Sequence, residues 1–261
     1  MRTGGEAVTW GYDDYGGDSS AVKSELHSDV SSIASTAYAF AALKSDGSVV
    51  TWGSADYGGD SSAVASQLTK NIVKIYSNNY AFAALRSDGA VIAWGHSEYG
   101  GNTDEVQAML HGDVSEIYSN LYAFAAKKSD GSVISWGFDI SGGDSTQALD
   151  ALSGGVAEIY SSLYSFAAVS TEGEVATWGA ADYGGDSSAV AEQLKDVVSI
   201  SSTLYAFAAK KSDNSVITWG YFAYGGDSSE YTEELSSGVD TIFANNLAFA
   251  VVKDDMTLGK D

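Results

Sequence analysis

Tryptophan marks a regular internal repeat in this chain. The six tryptophans are spaced 42, 42, 42, 42 and 41 residues apart, each is followed by glycine, and a phenylalanine recurs in step with them. The positions are Trp10, Trp52, Trp94, Trp136, Trp178 and Trp219, with Phe40, Phe82, Phe124, Phe166, Phe207 and Phe249. A fixed period of this length indicates supersecondary units that share a core with their neighbours.

One unit, taken as residues 72–110, predicts three short strands, called A, B and C. Strand A is expected at 72–77, strand B at 80–85 and strand C at 90–94, because these runs are rich in β-branched, aromatic and small apolar residues. An Asp-Gly pair joins B to C, and this pair favours a type I′ hairpin turn.

A short helical stretch is predicted after the loop that follows each Trp-Gly. The loop ends in two glycines, and the next residue has a side-chain oxygen that can cap a helix N-terminus. We interpret this position as an N-cap rather than a calcium ligand, because a calcium site needs several carboxylates that converge on one point. The predicted N-caps are Asp18, Asp60, Asn102, Asp144, Asp186 and Asp227.

The two ends of the chain favour closure of the repeats into a ring. Residues 2–11 align with 44–53 and supply a C strand alone, whereas the chain ends on an A strand (239–244) and a B strand (248–252). Residues 6–10 are therefore expected to pair with the last B strand. The alternative is an open solenoid, which would carry polar caps at both ends.

The expected fold is an all-β, six-bladed β-propeller with three strands and a short helical stretch per blade. Strand B has no polar alternation, so both faces of each sheet should be covered, as in a radial propeller. Residues 1–261 are expected to form a single domain. Its blades are centred on Trp52, Trp94, Trp136, Trp178 and Trp219, with Trp10 completing the last blade.

The repeat motif resembles that of the regulator of chromosome condensation propellers. The pattern Leu-x-x-Asp-Gly-x-Val-x-x-Trp-Gly stands at residues 43–53 and recurs in related form along the whole chain. It is most similar to the short-blade bacterial form, which includes a β-lactamase-inhibitory propeller. Known members commonly have seven blades, and their Gly-Gln-Leu-Gly after Trp-Gly is replaced here by Tyr-Gly-Gly-Asp-Ser-Ser. The resemblance implies a protein-binding platform and names no partner.

The predicted topology places the A–B turns and the loops after Trp-Gly at the same end of the sheets, called here the loop face. The six copies differ most at these positions, and aromatic residues beside acids are typical of interfaces. The alternative is that the variation is drift and the aromatic rings fold back onto the sheets. The predicted binding residues are Tyr12, Asp13, Asp14, Asn78, Asn79, His96, Glu98, Phe138, Asp139, Asp182, Tyr221, Phe222 and Asn245.

The charge balance limits the class of partner. Thirteen Lys and Arg face 35 Asp and Glu, which gives a formal net charge of −22. This sign excludes binding to nucleic acid through its phosphates and disfavours anionic membranes, and no apolar run is long enough for membrane insertion. The expected partner is a protein with a basic patch, bound in a salt-sensitive way, or neighbouring subunits of an assembly or surface layer.

No catalytic residue, metal site or cofactor is predicted. The chain has no cysteine and three histidines, of which His27 and His111 share one repeat position away from the loop face and His96 alone lies in a loop-face loop. A three-histidine metal site is therefore not expected. Paired carboxylates on the loop face leave a carbohydrate-active enzyme or a lectin as the less favoured function. The sequence does not assign a compartment.

Overall fold

The computed structural model describes residues 5–254, and in this range the chain is all-β. Among these residues, five antiparallel sheets have three strands in the order A-B-C, and the sheet nearest residue 254 has two. The strands are β1 Val30–Ser35, β2 Ala39–Lys44 and β3 Val49–Gly53; β4 Ile72–Ser77, β5 Ala81–Arg86 and β6 Val91–Gly95; β7 Val114–Ser119, β8 Ala123–Lys128 and β9 Val133–Gly137; β10 Val156–Ser161, β11 Ser165–Ser170 and β12 Val175–Gly179; β13 Val197–Ser202, β14 Ala206–Lys211 and β15 Val216–Gly220; β16 Val239–Ala244 and β17 Phe249–Lys253.

The repeated three-stranded sheets confirm the sequence prediction closely. Strand A of the unit taken above lies at the predicted residues, and strands B and C are displaced by one residue. No helix in the described range has both the length and the apolar character needed to cross a membrane.

The B–C turn differs from the type I′ hairpin that Asp-Gly predicts. In the first sheet the Lys44 N–H donates to the Ser48 carbonyl oxygen at 2.8 Å, so the loop contains three residues. Gly47, not Asp46, has a positive φ, at +81°. A three-residue loop with a left-handed last residue is a type I turn followed by a G1 bulge. A Cβ at Gly47 would lie 2.7 Å from the Asn71 backbone nitrogen, so the approach of the next repeat also requires glycine there.

The helical stretches are shorter and tighter than predicted. The α-helix α1, Lys23–Leu26, has four residues, and the other helical segments in the described range are 3₁₀ turns. A stretch this short cannot offset the cost of nucleating an α-helix, so i to i+3 turns take its place. The 3₁₀ turns are Asp13–Tyr15, Ser20–Val22, Ala55–Tyr57, Ser62–Gln67, Ser97–Tyr99, Gln107–Leu110, Asp139–Ser141, Thr146–Ala148, Ala181–Tyr183, Ser188–Gln193, Phe222–Tyr224 and Ser229–Tyr231.

The predicted N-caps do not occupy the N-cap positions of the second 3₁₀ turns. Those positions are held, without side-chain capping bonds, by Ser19, Ser61, Val106, Ser145, Ser187 and Ser228. The predicted residues accept backbone hydrogen bonds in the loop before the turn instead. Asp60 Oδ1 accepts the Ser62 N–H at 2.8 Å, and Asn102 Oδ1 accepts the Asp104 N–H at 2.7 Å. Acceptance from two residues ahead is an Asx turn. The other members of the set accept in the same way: Asp18, Asp144, Asp186 and Asp227.

These turns predict a measurable acid sensitivity. Hydrogen bonds from the serine two residues ahead lower the pKa of Asp18, Asp60, Asp186 and Asp227 below the ordinary 3.8. A lowered folded-state pKa adds stability above the unfolded value, and that stability is lost as the pH falls through the folded value. We expect asparagine at all four positions, as at Asn102, to reduce the fall in melting temperature between about pH 6 and pH 2. An unchanged pH profile in this variant would contradict the assignment.

The described chain falls into two compact units. The first comprises the residues up to Ser129 together with Ile134–Asp139, and the second comprises Asp130–Val133 together with the residues from Ile140 onward. Within the first unit, Ala39 and Ala41 of one sheet share a core with Phe82 and Trp94 of the next. Small residues on one face thus accommodate large rings from the neighbouring sheet.

The second unit repeats this packing. Ala167 and Val169 share a core with Phe207 and Trp219 of the following sheet. Four or more residues of each B strand from β2 to β14 are buried, and the rest, Phe40 and residues at the strand ends, are partly buried, which confirms for these strands the prediction of two covered faces. The last B strand, β17, has no buried residue.

Five tryptophans fasten strand C to the loop of the preceding repeat. The Trp52 Nε1–H donates to the Gly16 carbonyl oxygen at 3.1 Å, and the indole stacks on Phe40 with ring centroids 5.3 Å apart. A Cβ at Gly16 would lie 2.5 Å from the Phe40 ring, so glycine lets the ring seat there. The same bond is made by Trp94, Trp136, Trp178 and Trp219.

The predicted pairing of residues 6–10 with the last B strand is not formed in the structure. Residues 2–4, the start of the aligned segment 2–11, lie outside the described range. The Ala7 N–H donates to the Leu26 carbonyl oxygen, and Gly5 forms a bridge with Val30. These bonds hold one edge of the segment on its own repeat and leave Trp10 85% exposed. The sheet β16–β17 accordingly has two strands.

Candidate functional site

The A–B turns and the post-tryptophan loops lie together in each unit, at the loop face that the topology predicted. In the first unit the Thr36 hydroxyl donates to the Tyr57 carbonyl oxygen at 3.2 Å. In the second unit the Thr203 hydroxyl donates to the Tyr224 carbonyl oxygen at 3.1 Å. A turn side chain thus fixes the loop that lies beside it, and it orders the surface before any partner arrives.

A row of aromatic rings runs along the loop face of the first unit. Tyr38, next to an A–B turn, contacts Tyr15 at 5.0 Å and Tyr57 at 4.6 Å between ring centroids. Tyr80 continues the row to Tyr99 at 4.9 Å. The row, called here the first aromatic row, is Tyr12, Tyr15, Tyr38, Tyr57, Tyr80, Tyr99, Tyr122 and Phe138.

The second unit carries a row of the same kind. Tyr183 contacts Tyr164 at 5.1 Å and Tyr205 at 5.5 Å, and Tyr221 stacks beside it at 5.7 Å. The second aromatic row is Tyr164, Tyr183, Tyr205, Tyr221, Phe222 and Tyr224. Rings in contact along a fixed backbone lose little conformational freedom on binding, which suits a preformed interface.

His96 belongs to the first aromatic row. Its ring stacks on Tyr99 at 4.4 Å and faces Tyr57 at 5.8 Å, with interplanar angles of 19° and 13°. Its Nδ1 is buried, with no hydrogen-bond partner among the described residues. The imidazole therefore acts as one more flat ring of the surface.

Burial raises the pKa of the Tyr80 phenol, and the Tyr122 hydroxyl beside it raises that pKa further by its charge and its hydrogen bond. The Tyr80 phenol therefore remains neutral at physiological pH. It presents a hydroxyl group and a ring face, and the negative charge of the loop face comes from carboxylates.

Carboxylates border both rows. Asp13, Asp14, Glu98 and Asp139 are exposed in the loops of the first unit, and Asp182 is exposed in the second. The structure therefore brings the predicted acids to the same loops as the aromatic residues. Tyr12 and Phe222 are the most open rings, at 66% and 69% exposed, while Phe138 is 36% exposed and Tyr221 is half-buried.

Asn78 was predicted as a contact residue, but the structure buries it. It is 6% exposed; its Nδ2 donates to the Tyr99 carbonyl oxygen at 2.7 Å and its Oδ1 accepts from the Tyr80 and Ala81 N–H groups. These bonds commit both ends of the amide to the turn. Asn79 and Asn245 are exposed, and the Asn245 Oδ1 accepts from the Leu247 and Ala248 N–H groups.

Apart from Tyr12 and Tyr221, the tyrosines of the two rows were not among the predicted site residues. Tyr38, Tyr80, Tyr122, Tyr164 and Tyr205 each stand two residues before the repeated phenylalanine, and a second set precedes the glycine pair. Their near constancy across the repeats is typical of framework positions, whereas the predicted site residues stand at positions that vary. The repeat position of tyrosine next to both loops was the available signal.

The histidines do not gather into a site. His27 Nδ1 lies 3.2 Å from the Glu6 carboxylate on an exposed surface, and His111 is exposed elsewhere. Among residues 5–254 there is no group of three or more His, Asp or Glu side chains placed to hold a metal ion.

Neither a scan against protein-family models nor a search of curated proteins gave a match. Among solved structures, similarity is found to Prp20p, the RCC1 protein of Saccharomyces cerevisiae, at 18% identity and a TM-score of 0.49, covering 95% of this chain and 73% of that one. The ACR4 receptor kinase ectodomain of Arabidopsis thaliana has 15% identity and a TM-score of 0.47, with 88% and 82% covered.

The ectodomain of the Physcomitrella patens receptor kinase CR4 has 13% identity and a TM-score of 0.47 over 88% of this chain, which spans 60% of that chain's length. A member of the family that the repeat motif resembles therefore occurs among the structural neighbours. The identities and TM-scores are too low to transfer an activity.

Proposed function

We propose that the chain is a non-catalytic, protein-binding scaffold of the propeller type, whose loop face takes a protein with a basic patch. The observation that carries this proposal is the ordered run of aromatic rings on the loop face with exposed carboxylates beside it. Guanidinium and ammonium groups are attracted both to aromatic faces and to carboxylates. An interface core rich in aromatic rings with a charged rim is also the usual anatomy of a protein-binding surface.

The architecture that we propose for this scaffold is one six-bladed propeller domain over residues 1–261. The five three-stranded sheets and the two-stranded sheet β16–β17 supply seventeen strands, and residues 6–10 would supply the eighteenth. The motif resemblance and the uncovered position beside β17 support this count. Coordinates or scattering that showed an extended line of sheets in solution would contradict it.

A second function, as a structural subunit of an assembly, is supported by apolar side chains away from the loop face. Phe243 and Val252 on the last sheet are 57% and 52% exposed, and Ile33 on the first sheet is 49% exposed. Closure of the ring would cover such side chains within the molecule. A subunit of an assembly would instead keep them exposed to solvent until it meets its neighbour, so their exposure in the isolated protein distinguishes the two cases.

The test is a triple variant, Tyr12→Ala, Phe138→Ala and Tyr221→Ala, titrated against an arginine-rich peptide by fluorescence anisotropy. Loss of aromatic anchors should weaken binding by about tenfold or more, because single hot-spot rings contribute on the order of 1–2 kcal/mol. Binding by the parent protein should also weaken as salt is raised.

The matched control is Val73→Ala, Met109→Ala and Leu149→Ala, which removes exposed apolar side chains from outside the rows. It should bind the peptide as the parent does. Equal affinity of the aromatic variant and the parent, or an equal loss in the control, would exclude the loop face as the binding surface.

A further inference from the structure

The first unit repeats one arrangement of charge and rings in three consecutive loops. Each of these loops places a carboxylate directly before a tyrosine, and the tyrosine beside the next A–B turn contacts that loop tyrosine. The ring centroids of the two tyrosines are 5.0, 5.7 and 5.1 Å apart in the three copies. The three sets, called stations here, are Asp14 with Tyr15 and Tyr38, Asp56 with Tyr57 and Tyr80, and Glu98 with Tyr99 and Tyr122.

The three station carboxylates have no cation of their own. All three are exposed, and the ion pairs found among the described residues involve other carboxylates, those of Glu6, Asp88 and Glu192. The loops after Trp-Gly and the A–B turns of the first unit contain no lysine or arginine. The negative charge beside the rings is therefore available to a cationic partner.

The stations follow one another at a short interval. The ring centroids of Tyr38 and Tyr80 are 6.0 Å apart, and those of Tyr80 and Tyr122 are 5.4 Å apart. In an extended peptide, alternate side chains point to the same side and lie about 6.6–6.8 Å apart. The long stem of an arginine adapts to a difference of this size. One residue in every two of such a peptide can thus meet one station.

The second unit does not repeat the arrangement in consecutive loops. It has one such set, Asp182 with Tyr183 and Tyr205, whose rings are 5.5 Å apart. Its other two loops have Ile140 and Ala223 at the position of the carboxylate. A partner that uses several stations in series is therefore matched by the first unit alone.

We propose that the three stations of the first unit bind an extended segment of a partner protein that carries arginine at alternate positions. Each guanidinium group lies on a tyrosine ring and pairs with the carboxylate of the same station. Arginine fits better than lysine because its planar group stacks on aromatic rings and bonds a carboxylate through two N–H groups. This inference rests on the proposed function and adds which unit binds, by what chemistry and in what spacing.

The first test compares three peptides of equal length and charge on the parent protein, by fluorescence anisotropy. One peptide has three arginines that alternate with serine, the second has the three arginines adjacent, and the third has lysine at the alternate positions. Adjacent residues of an extended chain point to opposite sides, so the second peptide presents fewer guanidinium groups to the row. We expect the alternating-arginine peptide to bind about fivefold more tightly than either of the others. Equal affinities would overturn the proposal.

A charge variant, Asp14→Asn, Asp56→Asn and Glu98→Gln, tests the stations themselves. It should bind the alternating-arginine peptide about tenfold less tightly than the parent does, and with a weaker dependence on salt. Its melting temperature should stay unchanged, because the three carboxylates are exposed and form no ion pair within the described chain. Unchanged affinity would remove the carboxylates from the site and overturn the proposal.

The matched control removes three exposed carboxylates from outside the loops: Glu25→Gln, Asp104→Asn and Glu105→Gln. It should bind the peptide nearly as the parent does, and a loss equal to that of the charge variant would show attraction by net charge alone, which overturns the stations. If the alternating and adjacent peptides bind equally and the triple aromatic variant weakens both, the loop-face function stands without the stations. If no arginine peptide binds the parent, both fail.

Discussion

Replacing Trp94 with alanine should lower the free energy of unfolding by about 3–5 kcal/mol. Trp94 is 4% exposed, stacks on Phe82 with ring centroids 5.1 Å apart, and donates its Nε1–H to the Gly58 carbonyl oxygen at 3.1 Å. Alanine would leave a cavity between two sheets and a carbonyl oxygen without its donor. Urea denaturation followed by circular dichroism measures the loss.

Trp94→Phe is the matched control for this prediction. It keeps an aromatic ring against Phe82 but removes the N–H, so it should lose less than alanine does, with about 0.5–1.5 kcal/mol of its loss assigned to the hydrogen bond. A loss below about 1 kcal/mol for Trp94→Ala would show that the tryptophan does not hold the sheets together.

The period of the repeat explains why strand positions could be predicted within one residue. Each strand is short, and every copy offers the same phase of phenylalanine, alanine and tryptophan, so one unit fixes the others. The type of the B–C turn was not predicted correctly from the sequence. Asp46 and Gly47 fit a two-residue hairpin by composition, but the next repeat approaches closely at Asn71, and three residues are needed to place glycine against it.

Equivalent positions in the sequence do not guarantee equivalent surroundings. Trp10 carries the same Trp-Gly motif as Trp52, yet Trp10 is 85% exposed and Trp52 is 5% exposed. The motif alone therefore predicts the position of the tryptophan in its strand but not its burial.

In the candidate site, too, residue type and position in the repeat do not predict burial. Asn78 and Asn79 are adjacent and identical in type, yet Asn78 is buried by its bonds to the turn while Asn79 is exposed. Only the geometry of the A–B turn separates the two roles. Most rings of the aromatic rows likewise belong to tyrosines that recur at two positions of the repeat, whereas the predicted site residues stand at positions that vary.

Replacing Gly100 with alanine should destabilise the protein by about 2–5 kcal/mol, from left-handed backbone strain and overpacking together. Gly100 has a φ of +101°, and a Cβ there would lie 2.6 Å and 2.8 Å from two carbons of the Phe124 ring. Phe124 is fully buried and cannot withdraw. The Gly100 carbonyl oxygen also accepts the Trp136 Nε1–H at 3.0 Å, so any backbone shift that relieves the clash weakens that bond.

Gly112→Ala separates this steric effect from the general effect of adding a methyl group. A Cβ at Gly112 would have its nearest neighbour, the Asp88 carbonyl oxygen, at 3.5 Å, which is an ordinary contact. Its substitution should change stability by no more than about 0.5–1 kcal/mol, since the restriction that alanine places on the unfolded chain acts in the stabilising direction. Equal losses of stability at Gly100 and Gly112 would mean that the Phe124 ring can move away from the added methyl group.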